Sequence, residues 1–454
     1  MLKLKSIDAT RGALLPSIFI YALPIAITSL IQTLFSAVDT MVLRYMADTV
    51  AVASVGATST ITGLLINTFM GLAAGTKVLL ARFIGAREKE QSAATVSTSL
   101  ITAAGIGLVS AALGFGLSRQ FLALTNCPAE CFEGAMVYLR IYFLSAPAIL
   151  VYNFGAEVLR VSGDTQRPLI YMLLSGLLNV VLNLILCLIL PQKIAAVAIA
   201  TVASQVLGAV LVVRRLCRID NDCRVELRHL IFHRGLFSRI LKFGLPIALH
   251  TALFPLANLQ IQSAINSYGY AAVAGNAAAI SLEGFISSIT NAFGNAALTF
   301  IGQNLGAGQR ERVNRSFALC LTIGALFGLV LGTLTYAFGE HLLVPFVGED
   351  PAAIEYGMLR AKYIIFFYWM GAMNGIFGNV LQAFGYSFLT SLNSIFSVFI
   401  FRMIWMNFIY TRWPSYENIF HCFFVSWIIL FTLNISMLVY VFHRYRQGRL
   451  QRVI

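Results

Sequence analysis

Stretches of about twenty apolar residues recur along the whole chain, broken by short polar turns. Each stretch is long enough to cross a hydrocarbon core of roughly 30 Å as a helix. The weak ten-residue alternation of a transmembrane strand does not occur. Twelve spans are predicted, at approximately 14–46, 51–82, 92–119, 136–160, 168–190, 194–214, 240–268, 272–302, 315–338, 357–384, 388–410 and 419–443. The fold class is therefore an all-α polytopic membrane protein. The first span is too long for the core of a signal peptide and is expected to be retained.

The pattern repeats. Leu23-Pro24-Ile25-Ala26 returns as Leu245-Pro246-Ile247-Ala248, and Ala51-Val52-Ala53 as Ala272-Val273-Ala274. Gly85-Ala86 returns as Gly306-Ala307, and Phe154-Gly155 as Phe377-Gly378. A six-span unit starts and ends on the same side of the membrane, so its two copies share an orientation. Parallel repeats of this kind are a transporter architecture. The expected division is an N-terminal six-helix bundle (1–213), a solvated basic cytoplasmic linker (214–239) and a C-terminal six-helix bundle (240–454). Pro24 and Pro246 interrupt the first span of each copy. Each removes a backbone hydrogen bond and kinks its helix, so they are hinge candidates as well as candidate static bends.

Composition supports this class. Of 454 residues, 58% are hydrophobic and 11% charged, against about a quarter charged in soluble domains. The net charge of +13 raises the question of nucleic acid. Its distribution answers it. With the amino terminus in the cytoplasm, twenty-three Lys and Arg fall on the inside, while the outer loops hold only Arg44, Arg119, Lys193 and Arg412. That bias is the positive-inside rule and predicts both termini in the cytoplasm of a bacterial-type inner membrane. Membrane lipids are the implied partner, nucleic acid is not, and a monomer is expected. Cys127 and Cys131 lie in an outer loop, where i, i+4 spacing would strain a disulfide on a helix. The Cys and His residues of the linker lack the spacing of a zinc finger.

Few polar groups fall at membrane depth, and those deserve a functional hypothesis. Asp39 on the first span, Asn179 and Asn183 on the fifth and Thr201 on the sixth lie at one depth, roughly 10–17 Å below the outer surface at 1.5 Å per residue. A carboxylate, two amides and a hydroxyl suit Na⁺; Asp39 alone suits a proton; Asn and Thr also simply satisfy one another between helices. No metal beyond Na⁺ is indicated. Glu283 and Arg402 form a candidate substrate or second-proton site in the second copy, unless they neutralise one another. Lys77 and Glu157, near inner helix ends, form a candidate structural pair.

No P-loop occurs, since Gly71-Leu72-Ala73-Ala74-Gly75-Thr76-Lys77 has the wrong order and lies inside a span. No HExxH or GxSxG motif occurs either, so neither ATP-driven transport nor membrane hydrolysis has a visible site and no enzyme is indicated. No cofactor is called for. Transport must then draw on an ion gradient, of Na⁺ or H⁺, or on the substrate's own gradient.

Taken in order, Leu23-Pro24, Ala37-Val38-Asp39-Thr40, Ile84-Gly85-Ala86-Arg87 with Leu305-Gly306-Ala307-Gly308, Ser162-Gly163-Asp164-Thr165-Gln166-Arg167-Pro168, Leu178-Asn179 and Ala198-Ile199-Ala200-Thr201 resemble the multidrug and toxic compound extrusion (MATE) family over nearly the whole chain. The resemblance implies two pseudo-symmetric six-helix bundles in a V shape and an antiporter exchanging Na⁺ or H⁺ for cationic or amphipathic drug-like molecules by alternating access. It also implies a cation site of an Asp on span one, an Asn and an Asp on span five, and a Thr on span six. Asp39, Asn179 and Thr201 match that pattern; Asn183 stands where an Asp is expected. A lipid-linked precursor or metabolite flippase of the same architecture is the alternative. Such a protein should line its cavity with several basic groups, and here the deep ones are Lys77, Arg140 and Arg402, with Arg360 and Lys362 at a helix start.

Overall fold

Backbone polar groups find no water in a bilayer, so an apolar stretch of this length satisfies them internally as a helix. The computed structural model describes residues 7–46, 49–125 and 127–449, with the side chains of 33, 36–41, 43, 44 and 49 outside the described set. Among the described residues the chain is helical and has no strand. The helices are α1 (Leu14–Met46), α2 (Thr49–Ala86), α3 (Lys89–Leu124), α4 (Ala129–Leu144), α5 (Ala146–Val161), α6 (Gln166–Ile189), α7 (Lys193–Arg218), α8 (Arg234–Asn266), α9 (Tyr270–Gly306), α10 (Arg310–Ala337), α11 (Gly339–Val347), α12 (Pro351–Arg360), α13 (Tyr368–Ala383), α14 (Ser387–Ser394), α15 (Phe401–Ile404) and α16 (Tyr416–Arg446). Ten stretches cross a membrane by length and composition, and two bent pairs complete twelve. The chain is a multi-pass membrane protein.

The bent pairs are a structural echo of the repeat. The predicted fourth span is α4 and α5, bent by 47° at Ser145. The predicted tenth is α12 and α13, bent by 44°. Each bend rests on a glycine of a neighbouring helix. A Cβ on Gly107 of α3 would collide with the backbone of Pro147, and one on Gly328 of α10 would sit 2.8 Å from Trp369 Cα. Gly107 and Gly328 are repeat mates, 221 residues apart. Backbones approach this closely in lipid only over small residues.

The helix ends repeat as well. After α2, Arg87 adopts φ 57°, and after α9 its repeat mate Gly308 adopts φ 69°. At both, the chain closes with the same paired bonds: Arg87 N–H to Ile84 O and Glu88 N–H to Phe83 O, then Gly308 N–H to Leu305 O and Gln309 N–H to Asn304 O. This is the Schellman stop, which favours glycine at the left-handed position. Arg87 is the only non-glycine with positive φ among the described residues.

The chain divides into two compact units. Unit 1 holds Met1–Asp8 and Ile27–Ala248; unit 2 holds Ala9–Ala26 and Leu249–Ile454. A cut at the 214–239 linker does not reproduce them, because the first half of α1 belongs to unit 2 and the first half of α8 to unit 1. Within unit 2, Tyr21 Oη meets Thr299 Oγ1 at 2.7 Å, and Arg312 donates to the carbonyls of Ala9, Arg11 and Gly12. Within unit 1, α8 lies directly on α2. A Cβ on Gly75 would strike Ile240 O, and one on Gly244 would lie 2.6 Å from Leu72 O. The linker, expected to be solvated, is docked on unit 1: Ile219, Cys223 and Val225 are buried with Leu216 and Val212. Its apolar residues recur among the charges, and burying them removes their surface from water.

Candidate functional site

In unit 1, α6 and α7 bring together three of the four residues predicted to hold a cation. Asn179 and Asn183 lie one turn apart on α6 and therefore share a face. Asn183 Nδ2 donates to Asn179 Oδ1 at 3.2 Å, and Asn179 Nδ2 reaches Thr201 Oγ1 on α7 at 3.5 Å. Thr201 Oγ1 in turn donates to Val197 O at 2.9 Å. Asn179 and Asn183 are buried. The arrangement is a neutral hydrogen-bonded chain, and rotating the amides exchanges N–H for oxygen at the same positions. The same side chains can therefore satisfy one another or turn up to three oxygens towards a cation. Asp39, the predicted fourth member, lies on α1, but its side chain is outside the described residues. With Asn183 in place of an acid, the described members carry no charge.

Towards the C-terminal ends of α2 and α5, Lys77 Nζ lies 3.6 Å from Glu157 Oε2, and Arg160 donates to Glu157 Oε1 at 2.7 Å. The structure thus adds Arg160 to the predicted pair. One carboxylate between two cations leaves a net positive cluster, with Lys77 almost wholly enclosed.

Unit 2 corrects one sequence expectation. Glu283 and Arg402 do not neutralise each other. Arg360 holds Glu283, donating through Nη2 at 2.6 Å and Nε at 3.2 Å, and its Nη1 donates to Asn276 Oδ1 at 2.9 Å. The cause is the helix start. The tenth span begins at Pro351 rather than near 357, which carries Arg360 roughly two and a half turns along its helix instead of leaving it at the start. Arg402 is 1% exposed and its partners are neutral. Nε donates to Ser426 Oγ at 3.1 Å and Nη1 to Asn258 Oδ1 at 3.4 Å, while the guanidinium stands 3.9 Å from the Phe423 ring centroid. Arg360 approaches the same ring, at 5.5 Å. Two guanidinium groups therefore share one aromatic ring, with one carboxylate between them in charge terms.

Wide π-helical turns adjoin both arginines: Ala361–Ile365 follows Arg360, while Ile395–Ile400 precedes the short α15 that carries Arg402 and Trp405–Tyr410 follows it. Such turns often occur at functional sites, because they re-aim side chains without ending the helix. Sequence reading missed Asn276, Asn258 and Ser426. Polar residues inside spans were their signal, but only the three-dimensional pairing separates them from ordinary helix polar residues. Pro24 and Pro246 sit inside α1 and α8, and both helices pass from one unit to the other just beyond them, after Ala26 and Ala248.

Comparison with known proteins places these features. A family model described as MatE matches residues 24–185 and 246–408, one copy on each repeat. The chain is 26% identical over 403 residues to a probable multidrug resistance protein, YpnP, of Bacillus subtilis (strain 168), covering 88% of this chain and 89% of that protein. It is 26% identical over 334 residues to an FAD transporter of Shewanella oneidensis, covering 71% and 72%. Its fold matches a solved outward-facing multidrug resistance MATE family transporter of the MOP superfamily with a TM-score of 0.86, at 21% identity, over 98% of this chain and 99% of that one.

Proposed function

The chain belongs to the MATE (MatE) family of membrane transporters, and from that premise we propose that it is a secondary multidrug exporter. Na⁺ or H⁺ enters down its gradient as cationic or amphipathic small molecules leave, and the family carries out transport rather than enzymatic catalysis. The observation that carries the ion-coupled reading is the hydrogen-bonded cluster of Asn179, Asn183 and Thr201 on two adjacent helices of unit 1. Asp39 supplies its charge. Because Asn183 brings no second carboxylate, a single acid, Asp39, bears the coupling ion, and neutralising it should abolish coupling. The names of relatives such as YpnP support the substrate class. The protein works in the cytoplasmic membrane with both termini inside, as its basic loops suggest.

The mechanism is alternating access. An ion drives it only by binding the two states unequally. Pro24 and Pro246 each lack one backbone hydrogen bond, and each lies just before its helix changes unit. Bending there lets the docked half of α1 or α8 stay with its unit while the rest moves.

A second reading, export of an anionic metabolite, is favoured by one observation. Unit 2 buries two guanidinium groups on Phe423 against a single carboxylate, a charge balance that suits an anion better than a cation. The Shewanella relative's name points the same way.

The test is efflux from cells expressing the protein, with a fluorescent cationic dye and with a flavin nucleotide, while the Na⁺ and H⁺ gradients are collapsed separately. Dye extrusion that stops with one gradient and is lost in Asp39→Asn supports multidrug antiport. Extrusion of the flavin alone moves the second reading to the front. Transport unchanged in Asp39→Asn rejects the ion site.

A further inference from the structure

At the inner end of unit 1 a groove of about 580 Å³ opens between α5, α7 and the short turn Leu227–His229. Its walls include Val151, Val210, Val213 and Leu227, and among the described residues its charged lining consists of Arg214 and Arg218, with no acid. The transport reading gives this groove no task.

The two arginines stand one turn apart on α7, on one face of the helix. Both are exposed. Among the described residues neither makes an ion pair or a hydrogen bond, whereas Arg215, on another face, lies 3.6 Å from Asp164, which also holds Arg167. The unit therefore neutralises the inward arginine and leaves the two at the groove bare. The apolar part of the groove runs along α7 from Ala209 to Val213, about 6 Å at 1.5 Å per residue, next to the turn that carries the two arginines, which is room for the first few methylenes of an acyl chain. Val210, within it, is an apolar side chain left 55% exposed.

We propose that this groove binds an anionic phospholipid of the inner leaflet, with its headgroup phosphate on Arg214 and Arg218 and an acyl chain along Val151, Val210 and Val213. The occupant follows from charge and shape together. Paired guanidinium groups recognise a phosphate through several N–H donors. Basic pockets at the cytoplasmic ends of spans select anionic headgroups. An apolar channel beginning beside the arginines suits the first methylenes of a chain continuous with that headgroup, and a soluble phosphate gains nothing from it. A zwitterionic headgroup carries its own cation and loses much of the attraction. Because α7 also carries Thr201, an occupied groove sits on the same helix as the candidate cation cluster.

The experiment is native mass spectrometry of the purified full chain with phosphatidylglycerol and phosphatidylcholine of identical acyl chains. Alongside it, protection of Cys217, a groove residue, from a membrane-permeant maleimide is read by peptide mapping. In the wild type, phosphatidylglycerol should remain bound and protect Cys217. Phosphatidylcholine should do so more weakly by at least tenfold, and glycerol phosphate not at all. Removing both charges in Arg214→Gln/Arg218→Gln should weaken phosphatidylglycerol binding by roughly tenfold to thirtyfold, the weight of two basic side chains at a charged surface. These side chains are exposed, so the fold should be unaffected. Val213→Trp keeps the arginines and fills the channel, and it should also abolish protection. Equal retention of the two lipids, or unchanged phosphatidylglycerol binding in the double Gln variant, overturns the proposal. Protection by glycerol phosphate alone would make the site a soluble-phosphate site and overturns it too.

Discussion

Replacing Glu283 with Gln removes one carboxylate and leaves Arg360 enclosed with Asn276, the Phe423 ring and a second guanidinium nearby. Arg360 and Glu283 meet through two bonds, at 2.6 and 3.2 Å, with side chains 7% and 20% exposed. Breaking a buried pair from one side costs about 3–5 kcal/mol, because the surviving charge is stranded. Partial exposure of Glu283 places the expected loss near the lower end, about 3 kcal/mol. At roughly 2–4 °C per kcal/mol for a unit of this size, the apparent melting temperature in detergent should fall by about 6–12 °C. Arg360→Met should lose a similar amount, since it strands the acid. The double variant Glu283→Gln/Arg360→Met strands neither and should recover most of the loss, with a coupling of about 2 kcal/mol or more. Fluorescence-detected size exclusion after a temperature series reads all four proteins. Additive losses would refute the pairing. A stable Glu283→Gln that nonetheless stops dye transport, with no recovery in the double variant, would return Glu283 to the role of a substrate or proton site.

Three further outcomes follow from the fold. Arg87→Gly should stabilise the protein by about 1 kcal/mol by relieving a left-handed conformation, while Gly308→Ala at the repeat mate should destabilise by a similar amount; thermal denaturation of the purified variants checks both. Gly75→Leu should cost about 1–3 kcal/mol or more and expose the first half of α8 to limited proteolysis, because no space exists between α2 and α8. Burial pushes the Cys223 thiol up to about 12, so its thiolate is scarce at neutral pH and its alkylation should be slow. The rate should climb about tenfold per pH unit beyond pH 9.5, where an ordinary thiol levels off; a plateau near pH 9 would contradict the buried environment.

The spans were legible because apolar length alone decides a transmembrane helix, and the repeat because Leu-Pro-Ile-Ala and Gly-Ala recur in register. Asn179, Asn183 and Thr201 were legible for a related reason: i, i+4 spacing fixes a face and distance from a helix end fixes a depth. The bends at Ser145 and before Tyr368 were not. The second has no proline at the break, and both depend on a glycine of another helix, remote in sequence. Arg360 was misplaced because Pro351 and Glu355 interrupt the apolar run at the start of the helix, so the span was started too late. That error gave Glu283 the wrong partner. The half-helix exchange left no local trace, since the first halves of α1 and α8 are equally apolar whichever unit they dock on.

That exchange bears on how the chain can be divided. Severed at the linker, the N-terminal fragment would keep a stretch, Ala9–Ala26, whose docking surface lies on the other fragment, and it would lack Arg234–Ala248, which completes its own unit. Each fragment alone would expose a vacant seat and an unseated arm. Two copies of one fragment are the natural remedy for each other, since α1 and α8 occupy corresponding places in the repeat.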